Sequence, residues 1–214
     1  EKIYKEMNVI ARSFLDITDE EGWKKVFINA PNSKRYNGRS VFQNAREYNM
    51  DPREVIIDIL IEQDGAVSGT YLSIIPKDNI LTITHPLTIY ASDGRIIPEE
   101  QAGYFPNPYC NGTFTRILSK YVREEKLLPL HDAIRRMTSY PAQKLNLKDR
   151  GLLREGSWAD IAIFDPHEVI DKATYEEPRL YSVGIHYVFV NGKPAIFNKE
   201  FTGIKAGMPI KRPT

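Results

Sequence analysis

Apolar residues recur at helical and strand spacing along the first third of the chain. The pattern predicts an amphipathic helix over residues 1–15, a short strand over 24–28, and helices over 41–48 and 52–61. Because apolar side chains cover most faces of the helix over 52–61, we expect it to be buried on more than one side.

Two of these helices carry recognisable start signals. Ser40 followed three residues later by Gln43 is typical of a capping box. Asp51 can cap the next helix, and Pro52 suits its first position because proline has no N–H to leave unpaired. Both starts are therefore predicted from local chemistry alone.

The middle of the chain predicts a strand over 66–75, a short helix over 76–84 and a strand over 87–91. A strand–helix–strand succession is typical of a parallel sheet. Three prolines follow within residues 95–112, which predicts a long ordered loop, and such loops usually serve a function.

The last part of the chain changes from a helical to a strand-and-turn pattern of residues. Residues 113–127 and 132–145 predict two amphipathic helices, the second kinked or shortened by Pro141. From residue 149 onward, glycines separate short apolar stretches, and Asn191-Gly192 is a strong signal for a type I′ hairpin. We place a boundary near Lys148, between a domain over 1–148 and a small β region over 149–214.

Composition narrows the class of protein. The chain has 29 Lys and Arg residues against 28 Asp and Glu residues, so no strongly basic surface for nucleic acid is expected. No apolar run approaches the ~18 residues of a membrane span. A single cysteine, Cys110, excludes an internal disulfide framework. These features predict a soluble globular protein with neither nucleic acid nor membrane as a partner.

Asp93 is the sharpest candidate for chemistry. It follows the predicted strand over 87–91, and the carboxyl ends of barrel strands build active sites. A carboxylate there could bind a metal or take a proton from a metal-bound water. The alternative is that Ser92-Asp93-Gly94 is only a turn, and spacing alone favours the turn.

Other reactive side chains offer weaker signals. The four histidines have no metal-ligand spacing, so this chain is not expected to assemble a histidine-rich zinc site by itself. Cys110 has no neighbouring base in the sequence, which favours an ordinary loop residue. Arg135 and Arg136 are interpreted as a solvated helix face.

A set of motifs in the second half resembles a known family. Residues 156–166 with Val190-Asn191-Gly192 are similar to the closing β-sandwich signature of the amidohydrolase superfamily. Similarity to the N-acyl-D-amino-acid deacylase (D-aminoacylase) branch lies in residues 112–114, 116–118, 121–124, 136–142 and 169–175. Ser92-Asp93-Gly94 lies at the distance upstream that matches this branch's aspartate on the eighth strand.

The resemblance implies an α/β fold. The chain would be the C-terminal portion of a (β/α) TIM-like barrel of a metal-dependent hydrolase, with a partial barrel and helical insertions over 1–148 and a β-sandwich segment over 149–214. The His-x-His motif and the other metal ligands of the family precede the matched segment. We therefore expect zinc in the complete protein but not in this chain alone, and a missing N-terminal half or a partner chain.

One loop departs from the branch. Where the family has His-Pro-Arg, this chain has Asn107-Pro108-Tyr109. An arginine matches a substrate carboxylate with two hydrogen bonds, and a tyrosine cannot supply that charge. Asn107 and Tyr109 are thus candidate substrate-binding residues, and specificity for acyl-D-amino acids is left open.

The sequence and the resemblance are compatible with two functions. In the first, the chain is a fragment of a zinc-dependent amidohydrolase that cleaves a C–N amide bond of a small molecule, and the resemblance implies N-acyl-D-amino acids as one substrate class. A metal-bound hydroxide would attack the carbonyl, and Asp93, the catalytic residue and a candidate metal ligand, would pass the water's proton to the leaving amine.

In the second, the chain is a non-catalytic fragment, a degenerate paralogue or an assembly subunit that lacks the metal site. The sequence does not give the substrate, the number of metals or the oligomeric state. It also leaves open whether the chain is an expressed piece, a proteolytic fragment or a split gene product. The compartment is open as well, with the cytoplasm favoured.

Overall fold

The computed structural model describes residues 20–30, 33–71, 76–94, 107–175 and 177–210. The predicted helix over 1–15 and most of the predicted loop over 95–112 lie outside these residues. The chain divides into two compact units. Unit 1 comprises Glu1–Asp78, Gly94–Cys110 and Thr174–Arg179, and unit 2 comprises Asn79–Asp93, Asn111–Ala173 and Leu180–Thr214.

Unit 2 contains residues on both sides of Lys148, so the two units do not follow the predicted division there. The assignment of 1–148 and 149–214 to separate domains stays a prediction for the whole protein.

The described residues form eight helical segments and six strands. The helices are α1 Glu20–Lys24, α2 Val41–Tyr48, α3 Pro52–Glu62, α4 Pro76–Thr84, α5 Tyr109–Arg116, the π-helical α6 Ile117–Glu124, α7 Leu130–Met137 and α8 Ser139–Lys144. The strands are β1 Val26–Asn29, β2 Ser68–Tyr71, β3 Ile161–Phe164, β4 Ile185–Val190, β5 Lys193–Phe197 and β6 Glu200–Phe201.

Both predicted helix starts in unit 1 are confirmed. The Gln43 N–H donates to Ser40 Oγ at 3.1 Å, and the Ser40 N–H donates to the Gln43 side chain at 2.8 Å. Asp51 and Glu54 make the same reciprocal pair at the start of α3. Two of the four N–H groups that every helix start leaves without a helical partner are thereby paired.

The core of unit 1 is formed by β1, the loop that follows it, and the helices α2 and α3. Its buried residues are Ile28, Ala30, Tyr36, Val41, Ala45, Val55 and Ile59. The expectation that α3 is buried on more than one side is wrong for these residues, since Ile61 is 74% exposed and Leu60 is 41% exposed. Only one face of α3 is buried, and some of its apolar side chains are therefore exposed.

The helices of unit 2 begin and end differently from the prediction. The helix predicted over 113–127 starts earlier, at Tyr109, and changes to π-helical hydrogen bonding at Ile117. The predicted interruption of the second helix lies at Thr138 (φ −126°, ψ −87°), three residues before Pro141. Pro141 instead lies in the first turn of α8, where its missing N–H is tolerated.

The β region after residue 149 is confirmed as a four-stranded antiparallel sheet in the order β3-β4-β5-β6. Asn191 and Gly192 both have positive φ, 50° and 79°, as a type I′ turn requires, so the predicted hairpin between β4 and β5 is confirmed. A β-sandwich stays a prediction.

The predicted parallel sheet is not found among the described residues. β1 pairs with β2 antiparallel, and all pairs in the other sheet are antiparallel. The predicted strand over 87–91 is also not found, because the segment pairs with no strand among the described residues. A strand needs a ladder of backbone partners, and the Tyr90 N–H instead donates to the Arg136 carbonyl at 3.3 Å.

Within the described parts of the chain, no helix has the length and apolar character needed to cross a membrane.

Candidate functional site

Asp93 lies in unit 2, at the end of the segment that follows α4. Tyr90 is buried and the Asp93 side chain is exposed. The backbone of Asp93 has a φ of 50°, which is left-handed and which aspartate and asparagine adopt more readily than most residues. The turn predicted at Ser92-Asp93-Gly94 stays a prediction, and the carboxylate lies at the surface of this unit.

The Tyr90 side chain fixes the segment that leads to Asp93. Its hydroxyl donates to the Ile83 carbonyl at 2.7 Å, near the end of α4. Burial raises the pKa of Tyr90, so the phenol keeps its proton and remains a donor throughout the neutral range. This bond closes a loop between Ile83 and Tyr90.

Arg136 lies on the other side of this loop and is only 4% exposed. Its guanidinium donates to the Ile83 carbonyl at 3.2 Å and to the His85 carbonyl at 2.6 Å. It also pairs with Asp132 at 2.5 Å, one helical turn earlier on α7. The interpretation of Arg135 and Arg136 as a solvated face is therefore wrong for Arg136, while the Arg135 side chain is 44% exposed.

The ion pair changes the chemistry of Asp132. The Arg136 hydrogen bond, followed by that of Arg135, holds the pKa of the Asp132 carboxyl below its ordinary value. Asp132 is consequently charged at neutral pH and balances the buried guanidinium.

Asn107 and Tyr109 lie together in unit 1. Thr70 Oγ1 donates to Asn107 Oδ1 at 3.0 Å, and Asn107 Nδ2 donates to the Tyr109 hydroxyl at 3.0 Å. Tyr109 is the first residue of α5 and is 39% exposed. Asn107 thus orients Tyr109, whereas Asp93 belongs to the other unit.

Asp171 fastens the junction of α5 and α6 in unit 2. Arg116 donates to Asp171 Oδ2 at 2.9 Å, and Ser119 donates to Oδ1 at 3.2 Å. A Cβ on Gly112 would lie 3.2 Å from the Asp171 Cβ, so glycine permits this close approach. The motifs around 112–118 and 169–175 are therefore in contact.

The described residues do not form a zinc site. Zinc takes three or four protein ligands, and no three His, Cys, Asp or Glu side chains among the described residues are close enough to hold a metal. Asp93 could contribute one ligand at most, so we derive no step of a reaction through a metal held by these residues.

Sequence reasoning did not find Arg136 and Asp132. Their spacing of four positions on a helix was visible in the sequence and predicts a side-chain pair. The same spacing occurs in many exposed helices, and therefore it could not show that this pair is buried.

Comparison with known proteins identifies the family. Residues 87–196, about half of the chain, match the model of the amidohydrolase family. The chain belongs to the amidohydrolase family. The matched residues include Asp93, Arg136 and the strands β3 and β4, but not the part of unit 1 that ends at Tyr71.

Individual relatives place this amidohydrolase chain in the D-aminoacylase branch. The chain is 38% identical to an N-acyl-D-aspartate deacylase of Alcaligenes xylosoxydans over 72% of its own length and 31% of the relative. A solved structure of D-aminoacylase aligns with a TM-score of 0.70 and 31% identity, over 85% of this chain and 36% of that one. The resemblance deduced from the motifs is thus confirmed.

An N-acyl-D-glutamate deacylase of Bordetella bronchiseptica, solved with zinc and a phosphonate inhibitor, aligns with a TM-score of 0.66 and 32% identity. The alignment covers 82% of this amidohydrolase chain and 35% of that one. The chain spans about a third of the length of the relatives it matches.

Proposed function

We propose that the whole protein hydrolyses the amide bond of an N-acyl-D-amino acid, with Asp93 as its general base and acid. The observation that carries the proposal is the family match over 87–196, which includes Asp93 three residues after Tyr90, whose hydroxyl donates to the Ile83 carbonyl. The relatives named as deacylases of acyl-D-aspartate and acyl-D-glutamate support the substrate class.

In this proposal Asp93 accepts a proton from the attacking water as the new C–O bond forms. It then delivers that proton to the amine nitrogen as the C–N bond breaks, so that a carboxylic acid and an amine are released. The acid then passes its remaining proton to the amine or to water, which gives a carboxylate. A general base held in place contributes about 10²–10⁴-fold to such a reaction.

The proposal includes a metal in the whole protein, as part of a (β/α) barrel completed by residues outside those described. The zinc in the Bordetella bronchiseptica neighbour supports this. Because the described residues form no complete metal site, ligands other than Asp93 would come from elsewhere in the protein.

The test is Asp93→Asn in the whole protein. Asparagine also adopts the left-handed conformation, so the backbone should be unchanged while the base is lost. We expect turnover of N-acetyl-D-aspartate, N-acetyl-D-glutamate and neutral N-acetyl-D-amino acids to fall about 10²–10⁴-fold.

Asp64→Asn is a matched control. Asp64 is another exposed aspartate with a left-handed backbone, φ 48°, and lies in unit 1. Its substitution should leave turnover unchanged. Equal turnover of the Asp93 variant and the wild type would contradict the assignment. A wild-type protein without hydrolase activity toward any of these amides would instead favour the non-catalytic alternative.

A further inference from the structure

The buried Arg136 side chain closes the end of α4. The last carbonyls of a helix have no helical N–H partner, and a cation near them is favourable. Arg136 donates to Ile83 and His85, and its Nη2 lies 3.5 Å from the Thr84 carbonyl. A side chain on α7 therefore caps the C-terminus of α4.

Arg136 also holds the chain beyond this cap. Its own carbonyl accepts the Tyr90 N–H at 3.3 Å, and its guanidinium lies 5.9 Å from the Tyr90 ring centroid. Together with the bond from the Tyr90 hydroxyl to Ile83, these contacts fix the segment at both ends.

Asp93 follows Tyr90 by three residues, so its Cα can lie at most about 11 Å from that fixed point. Only Ala91 and Ser92 separate Tyr90 from Asp93 in the sequence, so a displacement of Tyr90 is passed along the backbone towards Asp93. The position of the carboxylate thus depends on where Tyr90 is held.

We propose that Arg136, balanced by Asp132, is a positioning residue for Asp93. Arg136 acts by fixing the path of the backbone from Ile83 to Tyr90, through its bonds to Ile83 and His85. The inference rests on the proposed function of Asp93. The inference goes beyond that function because it gives the Arg136–Asp132 ion pair on α7 a role in placing the Asp93 carboxylate.

Arg136→Lys in the whole protein tests this proposal. Lysine keeps the charge but lacks the planar fork that reaches two carbonyls and a carboxylate together. We expect kcat to fall about 10- to 100-fold with little change in KM, because a displacement of about 1 Å at a catalytic group can have an effect of this size.

Arg135→Lys is the matched control. Arg135 is adjacent on α7, and its guanidinium donates to the same Asp132 and not to the segment from Ile83 to Tyr90. This variant should keep the kcat of the wild type. Tyr90→Phe, which removes the hydroxyl bond to Ile83, should lower kcat in the same sense by a smaller factor and still gives an answer if Arg136→Lys does not fold.

A double-mutant cycle separates positioning from general stability. If Arg136 acts through Asp93, Arg136→Lys should have no further effect on kcat in the Asp93→Asn background. An equal loss in both backgrounds, or a loss confined to KM, would overturn the proposal. Unchanged kcat in both Arg136→Lys and Tyr90→Phe would overturn it as well.

The failure of the proposed function has a different signature. If Asp93→Asn retains full turnover, both the function and this inference are wrong. If Asp93→Asn loses turnover while Arg136→Lys matches Arg135→Lys, only the inference is wrong.

Discussion

In each unit, a buried polar side chain donates hydrogen bonds to backbone carbonyls and so holds a loop in place. The two side chains differ in charge. In unit 1, Asn44 on α2 is fully buried and its Nδ2 donates to the carbonyls of Tyr36 and Ser40 at 3.2 and 3.1 Å. In unit 2, Arg136 on α7 does the same for Ile83 and His85.

The difference shows what a charge adds to such an anchor. A buried amide needs only hydrogen-bond partners, and Asn44 Oδ1 lacks one among the described residues. A buried guanidinium also needs a counter-charge, which Asp132 provides. Arg136 reaches more carbonyls than Asn44 does. Its burial, however, depends on the ionisation of the Asp132 carboxylate.

Arg136→Met should have the largest effect on stability. It leaves the carbonyls of Ile83 and His85 without this donor and Asp132 without its buried partner, and breaking such a pair costs about 3 kcal/mol or more. Urea unfolding would measure the loss, and hydrogen exchange at Tyr90 would place it in unit 2.

Arg135→Met should cost less than about 1 kcal/mol because its pair is exposed. Equal losses would remove the contrast between the two arginines.

Asn44→Ala should have an intermediate effect, about 2 kcal/mol, because it leaves a buried carbonyl of Tyr36 without that donor and creates a small cavity. The same unfolding measurement tests this. Asn44→Asp should be at least as destabilising at neutral pH, since an acceptor then faces two carbonyls. If Asn44→Asp were harmless, the amide would not be the anchor of the loop.

The smallest effect is a difference in pH dependence. The pKa of Asp132 is lowered in the folded state, so its contribution to stability is present above its ordinary pKa of about 3.9 and is lost as the pH falls through the lowered value. The stability difference between wild type and Asp132→Asn should therefore be greatest near neutral pH and shrink below about pH 4. The difference between wild type and Asn44→Ala should stay constant over the same titration. Parallel curves for both variants would contradict the assignment of charge to only one anchor.

Features decided within a few residues could be predicted from the sequence. The Ser40 and Asp51 caps and the Asn191-Gly192 turn were all predicted, because each depends on side chains within three positions of the backbone groups they pair or on local φ angles. The family motifs also pointed to the amidohydrolase match and to Asp93.

Features that need a distant partner could not be predicted in this way. The apolar run over 87–91 fits a strand as well as any segment in the chain, yet Tyr90 pairs with a helix carbonyl 46 residues later. The apolar helix α3 was expected to be covered on several sides, although only the packing around it determines how many of its faces are buried.

Arg135 and Arg136 show where the sequence stops being sufficient. The two residues are identical, adjacent and both paired with Asp132, so by itself the sequence determined a helix with a charged pair at this place. The tertiary structure alone decided that one guanidinium lies against the end of α4 and the other lies in water. The physical reason is that successive helical residues point about 100° apart, and burial depends on which direction meets another part of the chain.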